Sequence, residues 1–225
     1  MFVRLPTKPV RFFPWATLLL AFVCVGLSFV QADLDPRARS QMMQNFGMVP
    51  AHFSLSQGWW LMLERGAPQL FSALFIHADW VHLVGNLAFL LPFGIYAERA
   101  LGARRLLFVF LACGALANLS AAIMARGSLA PIIGSSGAVS AIAGTYLALF
   151  PRDKLGLMIP LGLYVQFVRV PVMALLGGWF VLQLTYTFFG PSFGAVAWWA
   201  HVAGFVLGAL SALAMRPGLK RKPLA

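Results

Sequence analysis

The chain has 225 residues, of which 60% are hydrophobic and 10% charged, with a formal net charge of +11. Soluble domains are about half apolar and about a quarter charged, so a water-soluble globule of this size could not cover its own apolar surface. Disorder is excluded by 20 Phe and 7 Trp at low charge density, and a disulfide scaffold by having only two cysteines, Cys24 and Cys113, both in apolar runs. The basic residues form short clusters between apolar segments, not a continuous stripe, which points to a membrane protein and away from a nucleic-acid partner.

An all-α, polytopic membrane protein is expected, because backbone groups in hydrocarbon must be satisfied internally and the alternating ten-residue segments of a barrel are absent. Six segments are apolar enough to span: 14–30, 80–97, 106–124, 135–150, 171–188 and 195–215. They predict a six-transmembrane-helix bundle over 14–215, between a tail at 1–13 and a basic tail at 216–225.

The first segment follows Arg4, Lys8 and Arg11 and ends near Val30-Gln31-Ala32. A cleaved signal peptide is the rival reading, but five remaining spans would break the charge pattern described below. The outward loop 31–79 carries Trp59, Trp60, Leu61, Met62 and Leu63 beside Glu64 and Arg65. That mixture suits a segment lying in the membrane interface, and equally an ordinary packed loop.

The second segment opens with His82 and Asn86, four residues apart and therefore on one helix face. Such a pair serves as interhelical glue or as two donors aimed at a developing oxyanion. The fourth segment begins with Ser136 inside Ile133-Gly134-Ser135-Ser136-Gly137-Ala138. Flanking glycines allow close approach, and a helix N-terminus favours negative charge. Gly137 with Ala141, and Ser140 with Gly144, also make small-residue packing pairs. Arg169, between short apolar runs, points to an inward loop that partly lies on the membrane. The sixth segment holds His201 within a stripe of Ala200, Gly204, Gly208 and Ala212 at four-residue spacing. Were that stripe to meet the small face of the fourth segment, His201 would come within reach of Ser136.

Orientation follows from Lys and Arg. Arg4, Lys8, Arg11, Arg99, Arg104, Arg105, Arg152, Lys154, Arg169, Arg216, Lys220, Arg221 and Lys222 fall on one side, against Arg37, Arg39, Arg65 and Arg126 on the other. The heavier side is cytoplasmic, which puts both termini inside. Segments two, four and six then run from outside to inside, and His82, Asn86, Ser136 and His201 all lie within two turns of the outer ends. Buried polar groups in a membrane need a reason, and a serine with a histidine at one depth suggests a nucleophile and its general base.

The rivals are weaker. Lys154 as base would sit 18 residues along from Ser136, about 27 Å of helix. No acid falls in a span near His201, so a dyad rather than a triad is expected. His77, Asp79 and His82 have metal-ligand side chains, but there is no HExxH; bis-histidine haem would have to use His82 and His201. No cofactor is expected.

The motifs together resemble the rhomboid intramembrane serine proteases over about residues 68–210. The resemblance is carried by His77-Ala78-Asp79-Trp80-Val81-His82 through Asn86, by Gly134-Ser135-Ser136-Gly137, and by Ala200-His201-Val202-Ala203-Gly204 through Gly208, with Glu98 ahead of Leu101-Gly102. It implies a bacterial six-span form in the inner membrane that cleaves transmembrane segments of other proteins within the lipid bilayer, near the outer leaflet. Ser136 would be the nucleophile and His201 the general base. His82, Asn86 and the Ser136 backbone N–H would form the oxyanion hole, and His77 would support the site or its water access. Gly134, Gly137, Gly204 and Gly208 would be structural. Two departures stand out: Ser140 occupies a position where some members stack a tyrosine on the histidine, and Pro68-Gln69 replaces an outer-loop Trp-Arg pair. The resemblance leaves a non-catalytic, client-binding relative as the second reading, and a transporter or haem protein as the third.

Overall fold

The structure is a computed structural model and describes residues 12–54, 58–161, 164–189 and 197–216. The basic tails, with Arg4, Lys8, Arg11, Lys220, Arg221 and Lys222, and positions 195–196 of the sixth predicted segment lie outside the described residues.

Eight helical stretches and one hairpin make up the described chain. Helix α1 covers Trp15–Ala32. The following outer segment is itself folded. Helix α2 (Pro36–Phe46) starts at Asp35, whose carboxylate accepts from Arg37 N and Ala38 N, the usual N-cap arrangement. A 3-10 turn follows at Pro50–Phe53. Helix α3 covers 59–72, with a π-helical turn at Met62–Gly66 before Ala67–Ser72. Trp59 and Trp60 are exposed. Gln69 ties this outer segment together: its Oε1 accepts from Val49 N at 3.2 Å and faces His52 Nδ1 at 2.9 Å. Its Nε2 donates to the carbonyls of Gln44 and Asn45.

Helix α4 (Trp80–Leu101) is capped by Asp79, which accepts from His82 N. Helix α5 (Ala103–Met124) follows after Gly102. Helix α6 is Ser136–Leu149. Strands β1 (Lys154–Leu161) and β2 (Tyr164–Pro171) pair antiparallel from Lys154↔Pro171 to Leu161↔Tyr164. Helices α7 (Val172–Phe189) and α8 (Trp198–Met215) complete the bundle. Five helices (α1, α4, α5, α7 and α8) are long and apolar enough to cross a membrane, and the fold is an all-α polytopic bundle.

Three features differ from the sequence expectation. Helices α4 and α5 run on through Arg99, Arg104 and Arg105, since long basic side chains can extend to water from a helix end. The loop after α6, expected to face inward, is a β-hairpin, in which Val168, Val170 and Phe167 suit a pleated strand and Tyr164 and Phe167 stay exposed. Helix α6 has 14 residues, about 21 Å, short of the roughly 30 Å hydrocarbon thickness. It sits in the middle of the bundle, with every residue from Gly137 to Tyr146 buried. Its neighbours, not lipid, surround it, so its N-terminus can end inside the molecule.

The α6–α8 contact is made backbone to backbone. A Cβ at Gly204 would overlap the Gly137 carbonyl, one at Gly208 the Ala141 carbonyl, and one at Gly144 the Phe205 carbonyl. Thr145 Oγ1 donates to Gly208 O at 2.9 Å across the same seam.

Glu98 fixes the other side of the bundle. It is 1% exposed and accepts from Ala16 N (3.1 Å), Thr17 N (2.8 Å) and Thr17 Oγ1 (2.7 Å), satisfying donors at the start of α1 that have no intrahelical acceptor. Hydrogen bonds to a charged group contribute about 1.5–3 kcal/mol, so Glu98→Ala should destabilise the fold by at least that amount. Thermal unfolding in detergent measures it, and Glu98→Gln should recover part of the loss.

Candidate active site

The chain reaches α6 through Gly134, at φ 115°, where its N–H donates to Ala73 O. A left-handed backbone favours glycine, and a Cβ here would also lie 2.7 Å from His82 Nε2. Gly134 therefore lets the loop pass directly over the His82 ring and deliver Ser136 as the first residue of α6. Ser136 and Gly137 then have first-turn N–H groups with no acceptor in their own helix.

His201 is the fourth residue of α8, and Gly204, one turn on, is what lets α8 lie against α6. His201 Nε2 is 2.8 Å from Ser136 Oγ. The other ring nitrogen, Nδ1, is 2.9 Å from Gln183 Oε1 on α7. Trp179, four residues before Gln183, stacks on the imidazole with centroids 6.3 Å apart. Trp198 approaches edge-on at 5.8 Å. The Ser140 hydroxyl turns back to the Ser136 carbonyl at 2.6 Å and so does not orient the histidine.

Ser136 and His201 line a cavity of about 520 Å³ together with His82, Asn86 and Asn118. Asn86 is 7% exposed, and its Nδ2 is buried with no hydrogen-bond partner among the described residues. A buried amide donor of this kind is unusual, and here it borders the cavity that holds the serine. His82 lines the same cavity from one turn earlier on α4. Four of the sequence-predicted residues, from three helices, are thus gathered at one place.

His77 lies outside the cavity wall. It is 1% exposed, its Nε2 is 3.2 Å from Ser135 Oγ, and its ring meets His82 edge-on at 5.3 Å. Burial and the neighbouring His82 push its pKa down to about 4, so it is neutral at pH 7 and supports the Gly134-Ser135 loop as an uncharged side chain. Asp79 caps the α4 N-terminus, its carboxylate accepting from His82 N at 2.8 Å.

Gln183 and Trp179 were not legible as site residues. The available signal is that Gln183 is a polar residue in an apolar run, in the C-terminal half of α7. Helix α7 runs antiparallel to α4, α6 and α8 in chain order, so its site residues fall near its C-terminal end and not its N-terminal one.

Among known families, the model described as the rhomboid domain matches residues 64–218, more than half of the chain. No curated protein matches it.

Proposed function

The chain belongs to the rhomboid family of intramembrane serine proteases, and from that premise we propose that it hydrolyses peptide bonds in transmembrane segments of other membrane proteins, near the outer leaflet. Ser136 is the nucleophile and His201 the general base. The observation that carries the reading is the 2.8 Å contact between Ser136 Oγ and His201 Nε2 on the wall of a cavity that His82 and Asn86 also line.

The steps follow from that contact. Ser136 Oγ attacks the carbonyl carbon as its proton passes to His201 Nε2. The negative charge on the carbonyl oxygen is met by Asn86 Nδ2, by His82 and by the Ser136 backbone N–H. The C–N bond breaks as His201 returns the proton to the leaving amine. Water, deprotonated by His201, then cleaves the acyl ester and restores the serine. A helix shields its own peptide bonds, so the substrate must open locally, and small or helix-breaking residues near the outer end of its span favour this.

The positive-inside count supports an inner-membrane orientation with both termini cytoplasmic, and a membrane domain over 14–215 between the two tails. The outer ends of α4, α6 and α8 then face the exterior, which gives the reaction its depth.

The oxyanion assignment has its own test. Removing one preorganised donor costs about 2.7–4 kcal/mol, or roughly 10²–10³ in rate. Asn86→Ala should therefore lower kcat by that factor with KM little changed, measured on a transmembrane test substrate in detergent. Mass spectrometry of the products locates the cut. A cut in the outer third of the substrate's span supports the reading, and cleavage confined to soluble loops counts against it.

A further inference from the structure

The six acidic residues of the chain leave His201 without a carboxylate. Only Asp79 borders the cavity, and its Oδ1 is taken by His82 N at 2.8 Å. Yet a general base must hold one tautomer. If Nε2 is to accept the Ser136 proton, the ring hydrogen must sit on Nδ1 and something must receive it.

We propose that Gln183 is the positioning residue of the dyad: its side-chain oxygen accepts from His201 Nδ1–H and thereby keeps Nε2 free to take the Ser136 proton. This rests on the assignment of Ser136 and His201 as nucleophile and base.

Three observations support it. The Nδ1 to Oε1 distance is 2.9 Å, and a carbonyl oxygen can only accept, which places the hydrogen on Nδ1. The opposite amide orientation would present N–H to Nδ1 and leave Nε2–H pointing at the serine, where it could not act as a base. Gln183 is 7% exposed and lies on the inward face of α7 with Leu176 and Thr187, so its rotamer is confined. Finally, Trp179 on the same face covers the flat side of the imidazole. One helix, α7, thus supplies both the acceptor for the ring edge and the plate for the ring face, and Ser140 has no such part to play.

A neutral amide suits this place physically. A carboxylate buried among the spans carries a large desolvation cost, whereas Gln fixes the tautomer without a charge. The consequence is a base whose imidazolium form gains no anionic partner. The titratable groups facing His201 across the cavity are His82 on α4 and Asp79 at the α4 N-cap; from α7, Tyr186 stacks on Trp198, and on α6 the tyrosine, Tyr146, is turned to Asp153.

Two variants and three readouts test the inference. Gln183→Met keeps the length and removes the acceptor. Its kcat should fall by about 10- to 100-fold, the scale of a small misplacement of a catalytic group, with KM nearly unchanged. In protein labelled with 15N-histidine, the His201 resonances, assigned by their loss in His201→Ala, should report the Nδ1–H tautomer in the wild type and a mixture in Gln183→Met. Gln183→Glu should retain activity but move the acid limb of the kcat/KM profile to higher pH. The reason is that an anion beside Nδ1–H favours the imidazolium and raises its pKa. A purely structural Gln183 would move neither tautomer nor limb. Unchanged kcat and tautomer in Gln183→Met overturns the inference; if that variant does not fold, an unmoved limb in Gln183→Glu does so. Ser136→Ala runs beside them. Cleavage surviving in Ser136→Ala defeats the proteolytic assignment, while the tautomer measurement still judges Gln183 by itself.

Discussion

Ser136→Ala should abolish cleavage of a transmembrane substrate, with a loss on the order of 10⁶-fold, the scale seen when a serine nucleophile or its base is removed from a hydrolase. The argument is geometric. Among the described residues, Ser136 is the hydroxyl bonded to His201, at 2.8 Å, and Ser135, next to it in sequence, is bonded to His77 instead. Neither Ser135 nor Ser140, whose hydroxyl is bonded to the Ser136 carbonyl, can substitute without rebuilding the loop or the helix. His201→Ala should be as inactive as Ser136→Ala, and the double variant no worse than either, because the two side chains act as one unit. Fold retention is checked by thermal unfolding, since Ser136→Ala removes one hydrogen bond and leaves the α6–α8 seam intact. Activity within tenfold of wild type in Ser136→Ala would remove the serine from the chemistry.

The second large effect is on assembly. Gly204→Leu should destabilise the fold by on the order of 3 kcal/mol or more, at the upper end of overpacking. The new side chain meets the Gly137 carbonyl, a backbone atom that cannot rotate away. Gly208→Leu meets the Ala141 carbonyl in the same way. Either change wedges α8 off α6 and should separate His201 from Ser136. A lower unfolding temperature is therefore expected together with loss of activity, and Gly204→Ala should be intermediate in both. A leucine variant with wild-type stability would mean that the two helices do not meet along this seam.

The spans were readable because lipid demands long apolar runs, and the expected segments 80–97, 106–124 and 171–188 fall within one residue of helices α4, α5 and α7 or inside them. What hydropathy cannot carry is length set by protein neighbours. Ser136–Leu149 reads as a span, yet it is a short helix held inside the bundle. The hairpin at 154–171 was equally illegible, since strand pairing depends on a partner that composition does not specify. At the candidate site the polar residues stood out against apolar surroundings, and the small stripes on α6 and α8 gave the reason they could meet. The roles of Gln183, Trp179 and Trp198 around His201 depend on how α7 is rotated, and no local pattern in 172–189 encodes that rotation. In the sequence Gln69 stands out only as a departure at its position; its part as the tie of the segment before α4 depends on four backbone and side-chain partners from elsewhere in the chain.

The most direct measurement of an activated serine needs no substrate. Purified protein in detergent is treated with a fluorophosphonate, digested, and the adduct mapped by mass spectrometry. One phosphonylated residue, Ser136, is predicted, with labelling strongly reduced in His201→Ala and absent in Ser136→Ala. An adduct on a different serine, or labelling of Ser136 that is indifferent to His201→Ala, would contradict the account.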